Sequence, residues 1–217
     1  ERILAGGMSP EQVKVCGLPV SLKFLQHRPD KREAQLKLGL DPELPTVLLV
    51  GGGDGMGPVY STSRSIARAR PRGQMMVVSG RNERLQKRLR RVHWEIPTKI
   101  FGFVTNMPEL MAAADVIVTK AGPSTISEAM IMGLPIILSG FIPGQEEGNV
   151  DYVISSGAGV LASDRRGIGR LVAEWFDPAC TILAEKAQNS RAQGRARAAL
   201  DVAAEIYNLM TVRQASP

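Results

Sequence analysis

The feature that most constrains the fold of this chain is a repeated alternation between short apolar runs and longer amphipathic stretches. The apolar runs are Val13–Cys16, Thr46–Val50, Gln74–Ser79, Thr98–Phe101, Asp115–Thr119, Pro135–Ser139 and Gly159–Leu161. Helical patterns separate most of them, at Val59–Ala69, Asn82–Val92, Met107–Ala114, Ser124–Met132 and Glu147–Ser156. A strand that is apolar on both faces must be covered on both faces, and helical crossovers keep successive strands parallel. The alternation therefore predicts an α/β fold, a doubly wound Rossmann-like parallel sheet, with no internal repeat. After Arg166 the pattern becomes wholly helical, with a long polar stretch from Ala179 to about Met210. We expect one domain over 1–217, made of an opening segment 1–45, an α/β core 46–165 and a helical tail 166–217.

The 217 residues suffice for such a core, and no run of roughly 18 apolar residues suggests a membrane-spanning helix. The chain opens at Glu1 without methionine or leader, which reads as a fragment or a processed product. A net charge of +6 favours anionic partners. Cys16 and Cys180 fit no metal or redox spacing and are expected to be reduced, partly buried thiols.

Ligands of doubly wound sheets bind beyond the carboxyl ends of the strands, so the loops after Val50, Ser79, Phe101, Thr119 and Ser139 matter most. The first is Gly51-Gly52-Gly53-Asp54-Gly55-Met56-Gly57-Pro58, whose glycines let backbone amides approach a ligand closely. Pro58 suits the first position of a helix, whose free amides form an anion site. No Gly-Lys-Ser/Thr follows, so this is not a P-loop. The strict dinucleotide pattern G-x-G-x-x-G is also missing. The next strand ends Ser79-Gly80-Arg81-Asn82 with no acid to hold a ribose, which argues against a nicotinamide enzyme.

The stretch Thr119-Lys120-Ala121-Gly122-Pro123-Ser124-Thr125-Ile126-Ser127-Glu128 ends a buried strand and opens a helix. Ser124 or Thr125 is expected to cap it, and Thr125-x-x-Glu128 matches a capping box. Against that structural reading stands a functional one. Lys120 and the helix N-terminus face a diphosphate, while Glu128 accepts hydrogen bonds from two ribose hydroxyls. In the following loop, Gln145 and Glu146 lie beyond a strand end, in reach of a polyhydroxylated ligand.

Together these segments resemble the carboxyl-terminal domain of the plant-type monogalactosyldiacylglycerol synthase family. The matching stretches are VKVCGLPV (13–20), LLVGGGDGMGP (48–58), SGRN (79–82), GFVTNM (102–107), TKAGPST (119–125), GLPIIL (133–138) and PGQEEGNV (143–150). The resemblance covers nearly the whole chain and implies one half of a glycosyltransferase-B fold. It implies inverting transfer of galactose from UDP-galactose to diacylglycerol, with no tightly bound cofactor. By resemblance, Phe103 and Val104 pack against uracil. Lys120, Ser124 and Thr125 lie near the diphosphate, Glu128 at the ribose, and Gln145 with Glu146 at the galactose hydroxyls. Asn149 supports that loop, and Gly53, Asp54, Gly55 and Met56 line the cleft.

The resemblance places the catalytic base and most acceptor contacts in an amino-terminal domain outside this chain, and His27 and His93 match no such motif. It also implies peripheral attachment to a plastid envelope membrane. The connection Ala69–Gly73 is shorter than the family pattern leads one to expect. No Asp-x-Asp pair occurs, so helix N-termini and Lys120 are left to meet the charge on the departing UDP. The basic stretch Arg81–Arg91 reads as a solvated helix face or as a contact for anionic lipid headgroups. It has no interleaved aromatics, which speaks against nucleic acid. Two other readings stay open: a UDP-glucose or UDP-N-acetylglucosamine transferase on the same fold, and a UDP-binding module inactive by itself.

Overall fold

The computed structural model describes residues 2–26, 29–53, 55, 57–162 and 164–214. Six parallel strands form one sheet in the order β3-β2-β1-β4-β5-β6. They are β1 (Thr46–Val50), β2 (Gln74–Val78), β3 (Thr98–Phe101), β4 (Val116–Thr119), β5 (Ile136–Leu138) and β6 (Gly159–Leu161). Their register is flush at the carboxyl ends, with Val50 opposite both Val78 and Thr119, Val78 opposite Phe101, and Leu138 opposite Thr119 and Leu161. That line of residues is a single rim. The chain winds outward from β1 through β2 to β3, then returns to the other side of β1 for β4. The strand order therefore reverses between β1 and β4, the crevice where such sheets hold ligands.

The helices are α1 (Arg2–Ala5), α2 (Lys23–Gln26), α3 (Lys31–Lys37), α4 (Val59–Arg68), α5 (Glu83–Arg90), α6 (Met107–Ala112), α7 (Pro123–Met132), α8 (Glu147–Ser155), α9 (Arg165–Trp175), α10 (Ile182–Gln193) and α11 (Ala198–Gln214). Side chains alternate across the strands and divide the core in two. Leu48, Val50, Met76, Val78, Ile117, Ile136 and Leu138 pack with Ala34 of α3, Leu110 of α6, Met130 of α7 and Val153 of α8. Val47, Leu49, Met75, Val77, Val116, Val118 and Ile137 pack with Ile66 of α4, Leu89 of α5 and Val172 of α9. Full burial of each such side chain is worth about 1.5–3 kcal/mol relative to exposure. Below the sheet, buried Gln74 donates to Asp41 O (2.6 Å) and Thr46 Oγ1 (3.0 Å), which also accepts from Gln35 Nε2 (3.2 Å). This network satisfies polar groups that burial would otherwise leave unpaired.

Two expectations need correction. Val13–Cys16 forms no strand: Val15 is 75% exposed, Lys14 ion-pairs with Glu205 of α11, and Gly17 is pressed against the Arg195 side chain. The segment lies along the helical tail instead of pairing with a sheet edge. The tail itself is broken at Gly194, which is extended (φ −65°, ψ 117°) and passes so close to Met130 O that a β-carbon there would clash. The short connection after α4 is closed by Arg70 in the left-handed region at φ +47°, and Pro58 occupies the position before α4 instead of its first turn. Both cysteines are free and half-buried, as expected.

Candidate functional site

The glycine-rich loop and the β2 loop are folded onto each other at the rim. Gly53 O accepts a hydrogen bond from Arg81 N (2.9 Å), and Gly55 N donates to Gly52 O (3.1 Å). Gly55 (φ +61°) and Gly80 (φ +59°) both occupy the left-handed region. A β-carbon would stand 2.1 Å from Ser79 O at Gly55 and 2.3 Å from Gly53 O at Gly80. Neither position admits a side chain, so sterics and φ both demand glycine. Asp54 and Met56 lie outside the described residues. The position before α4 is held by Pro58, which has no side-chain group to cap the helix.

The β4–α7 turn supplies the second wall. Helix α7 begins at Pro123, with Gly122 before it at φ −71°, ψ 129° and no side-chain cap. The expected capping by Ser124 or Thr125, and the Thr125–Glu128 capping box, are therefore not formed. Pro123 presets the helical φ and starts the helix early, which places Ser124 and Thr125 in the first turn, exposed and half-buried respectively.

Lys120 Nζ lies 2.7 Å from Glu146 Oε1. Glu146 Oε2 accepts from Ile142 N (3.0 Å), and that carboxylate side chain is only 4% exposed. Asn149 Nδ2 of α8 donates to Ala121 O (2.8 Å), and Ala121 N donates to Gly140 O (2.9 Å). The loops after β4 and β5 are thus tied together at three points. Lys120 also reaches the first wall: its Cε is 3.9 Å from where a β-carbon on Gly52 would sit.

Glu128 lies in the second turn of α7 with no hydrogen-bond or ion-pair partner among the described residues. Burial pushes its carboxyl group up to a pKa of about 7, because loss of water disfavours the charged form. Gln145 is exposed, on a turn closed by its own N–H to Ile142 O (3.2 Å). Beyond β3, Phe103 is 53% exposed and carries the Arg81 guanidinium 4.2 Å from its ring centroid, while Val104 packs into the core.

The structure thus joins Lys120, Glu146 and Asn149 by direct contacts, and Gly53 to Phe103 through Arg81. Two residues escaped the sequence reading as part of the site. Arg81 is read in sequence as one cation of the basic stretch Arg81–Arg91; its place beside Gly80, where the backbone approaches Gly53, is the available signal. Thr119 ends β4 at the reversal point with a fully buried hydroxyl that has no hydrogen-bond partner among the described residues. A polar residue closing an apolar strand was the clue there. His93 is exposed, and His27 lies outside the described residues.

Residues 46–201 match the family model for the glycosyltransferase family 28 C-terminal domain, a span that runs from β1 into α11 and encloses both walls. The chain belongs to that family. This family 28 domain is 44% identical over its full length to the probable chloroplastic monogalactosyldiacylglycerol synthase of Nicotiana tabacum, covering 42% of that protein. It is 42% identical over its full length to monogalactosyldiacylglycerol synthase 1 of Arabidopsis thaliana, again covering 42%. With the spinach enzyme of that name (Spinacia oleracea) it is 42% identical over 97% of the chain and 42% of the protein. The domain therefore spans under half the length of these relatives.

Among solved structures it resembles WaaG, a lipopolysaccharide-biosynthesis glycosyltransferase (TM-score 0.66, 19% identity, 90% of this chain and 56% of that one). Acinetobacter baumannii MurG is similar (0.65, 16%, 88% and 57%), as is Anabaena HepE in complex with UDP-glucose (0.63, 18%, 94% and 60%). The fold is that of one Rossmann-like half of a glycosyltransferase-B enzyme.

Proposed function

We propose that this chain is the donor-binding half of an enzyme that transfers galactose, with inversion, from UDP-galactose to 1,2-diacylglycerol. The observation that carries the reading is the Lys120 ammonium fixed between two glycine turns at the strand reversal, beside the N-terminus of α7, where Gly122 offers no capping side chain. A cation beside a helix N-terminus suits a diphosphate. The names of the plant relatives supply the sugar and the lipid.

In this reading Phe103 and Val104 hold the uracil, Glu128 the ribose hydroxyls, and Lys120, Ser124 and Thr125 the diphosphate. Gln145 meets the galactose, and Gly53 and Gly55 line the cleft. Asn149 braces the β4–α7 turn through Ala121 O. Both Glu146 oxygens already have partners, so a galactose hydroxyl would have to compete with Lys120 or Ile142 N for them. The acceptor oxygen attacks the anomeric carbon, the bond to UDP breaks, and UDP leaves with the electron pair. The acceptor proton passes to a base in the amino-terminal half of the longer protein. Each preorganised donor aimed at the departing phosphate contributes ~3 kcal/mol to the transition state.

The relatives' names also support a chloroplast location, with peripheral attachment to the envelope. The exposed cations Arg84, Lys87, Arg88 and Arg91 of the α5 region, with Arg68, Arg166 and Arg170 across Tyr60, form one basic face suited to anionic headgroups. Binding to anionic vesicles that falls at higher salt, with none to neutral vesicles, is the expected result.

Calorimetry of the chain with UDP, UDP-galactose, UDP-glucose and UDP-N-acetylglucosamine tests the donor site. We expect one UDP per chain and a preference for the galactose donor. Equal affinity for the glucose donors would point to another UDP-sugar transferase. Absence of UDP binding would overturn the reading.

A further inference from the structure

Resting on the diphosphate site proposed above, we infer that Glu146 is a positioning residue for Lys120, acting on the donor's diphosphate through that lysine and not on the sugar. The Glu146 side chain is 4% exposed, whereas that of Lys120 is 35% exposed. A carboxylate so far from water needs a partner for each oxygen. It has them: Oε1 faces Lys120 Nζ at 2.7 Å and Oε2 accepts from Ile142 N at 3.0 Å.

Lysine is a flexible four-carbon stem whose ammonium ordinarily samples many positions. Here the stem is threaded between the glycine turns. Its Cε is 3.9 Å from the site of a β-carbon on Gly52, and its Nζ is 3.6 Å from the corresponding site on Gly122. Glu146 therefore anchors the ammonium inside the crevice, between the two walls a diphosphate would bridge. It does not draw the charge away from the crevice. The Lys120 side chain stays 35% exposed, and its ammonium has N–H donors beyond the one given to Glu146. An ion held in its working position before binding loses less rotamer freedom when the ligand arrives.

The anchor is itself rigidly based. The Ile142 N–H that holds Oε2 belongs to a turn in which Ile142 O accepts from Gln145 N (3.2 Å) and Glu146 N (2.9 Å). Ala121 next to Lys120 is held from both sides, by Gly140 O through its N–H and by Asn149 through its carbonyl. Glu146 thus joins the β5 turn to the tip of an otherwise flexible lysine.

The test uses the full-length protein and three ligands, uridine, UDP and UDP-galactose, with Lys120→Ala, Glu146→Gln and the double variant. Glu146→Gln retains an oxygen for Ile142 N and removes the charge that anchors the lysine. We expect it to weaken UDP about tenfold and to leave both uridine affinity and the UDP-galactose to UDP affinity ratio unchanged. Lys120→Ala should weaken UDP at least as much, and the double variant should be no worse than Lys120→Ala alone.

Equal losses for uridine and UDP would mean that Glu146 only supports the fold. A change confined to the UDP-galactose to UDP ratio would make it a sugar ligand. Losses that multiply in the double variant would make the two residues independent. Each of these outcomes overturns the inference and leaves the donor site standing, whereas wild-type protein that binds no UDP overturns both.

Discussion

Glu128 is a half-buried carboxylate, with no partner among the described residues, whose pKa is raised to about 7. The folded value lies above the ordinary 4.5. Its contribution to stability is therefore fully present below pH 4.5 and lost as pH rises through 7. Above that range the ionised group costs the fold up to about 3 kcal/mol. We expect the wild-type Tm to fall between pH 5 and pH 8, and Glu128→Gln to flatten that fall; parallel Tm curves would refute the linkage. A ribose diol that requires the ionised carboxylate would also displace a proton, seen in calorimetry as a UDP-binding heat that depends on buffer ionisation enthalpy near pH 7. In the full-length protein, Glu128→Ala and Lys120→Ala are each expected to lower kcat/KM for UDP-galactose at least tenfold. Near-normal donor kinetics in either variant would remove that residue from the site. The types of these residues were legible in the sequence, but their partnerships were not. TKAGPST and PGQEEGNV marked Lys120 and Glu146 as separate ligands, and only the fold brings them 2.7 Å apart.

At the scale of elements, the site depends on two loops that no single element could hold. The β1–α4 and β2–α5 loops interlock through Gly53 O, which accepts from Arg81 N and crowds the space a side chain on Gly80 would need. Gly80→Ala adds a methyl group against that carbonyl and strains φ +59°. We expect it to destabilise the chain by about 1–3 kcal/mol and to weaken UDP binding, because Phe103 is positioned through Arg81. An unchanged denaturation midpoint would show that the interlock is soft. Strands were the most legible elements: the apolar runs at Thr46, Gln74, Thr98, Asp115, Pro135 and Gly159 each coincide with an observed strand. Helix starts were less so. Pro123 opened α7 ahead of the hydroxyl residues read as its cap, because a preset φ outweighed a capping pattern. Val13–Cys16 had the composition of a strand but is taken up by contacts with the tail, which local sequence does not encode.

On the scale of the whole molecule, one rim carries every residue joined by direct contacts at the site, and that rim follows from the flush register of six parallel strands. We expect the chain by itself to bind UDP yet transfer no galactose, and transfer to diacylglycerol to appear only when it is joined to the amino-terminal half. Transfer by the chain alone, followed with labelled UDP-galactose, would place the base among its own residues. Ile168, Val172 and Trp175 of α9, in the segment read in sequence as the start of the tail, are buried as deeply as the strands themselves. The sequence alone determined the sheet, its parallel sense and the glycine-bearing loops, because period, burial and φ preference are local properties. Only the tertiary structure decided that Glu146 holds Lys120, that Arg81 covers Phe103 and that Glu128 stands half-buried without a partner among the described residues. Those facts depend on distances between segments far apart in the chain, which are set by the packing of the helical layers on the sheet.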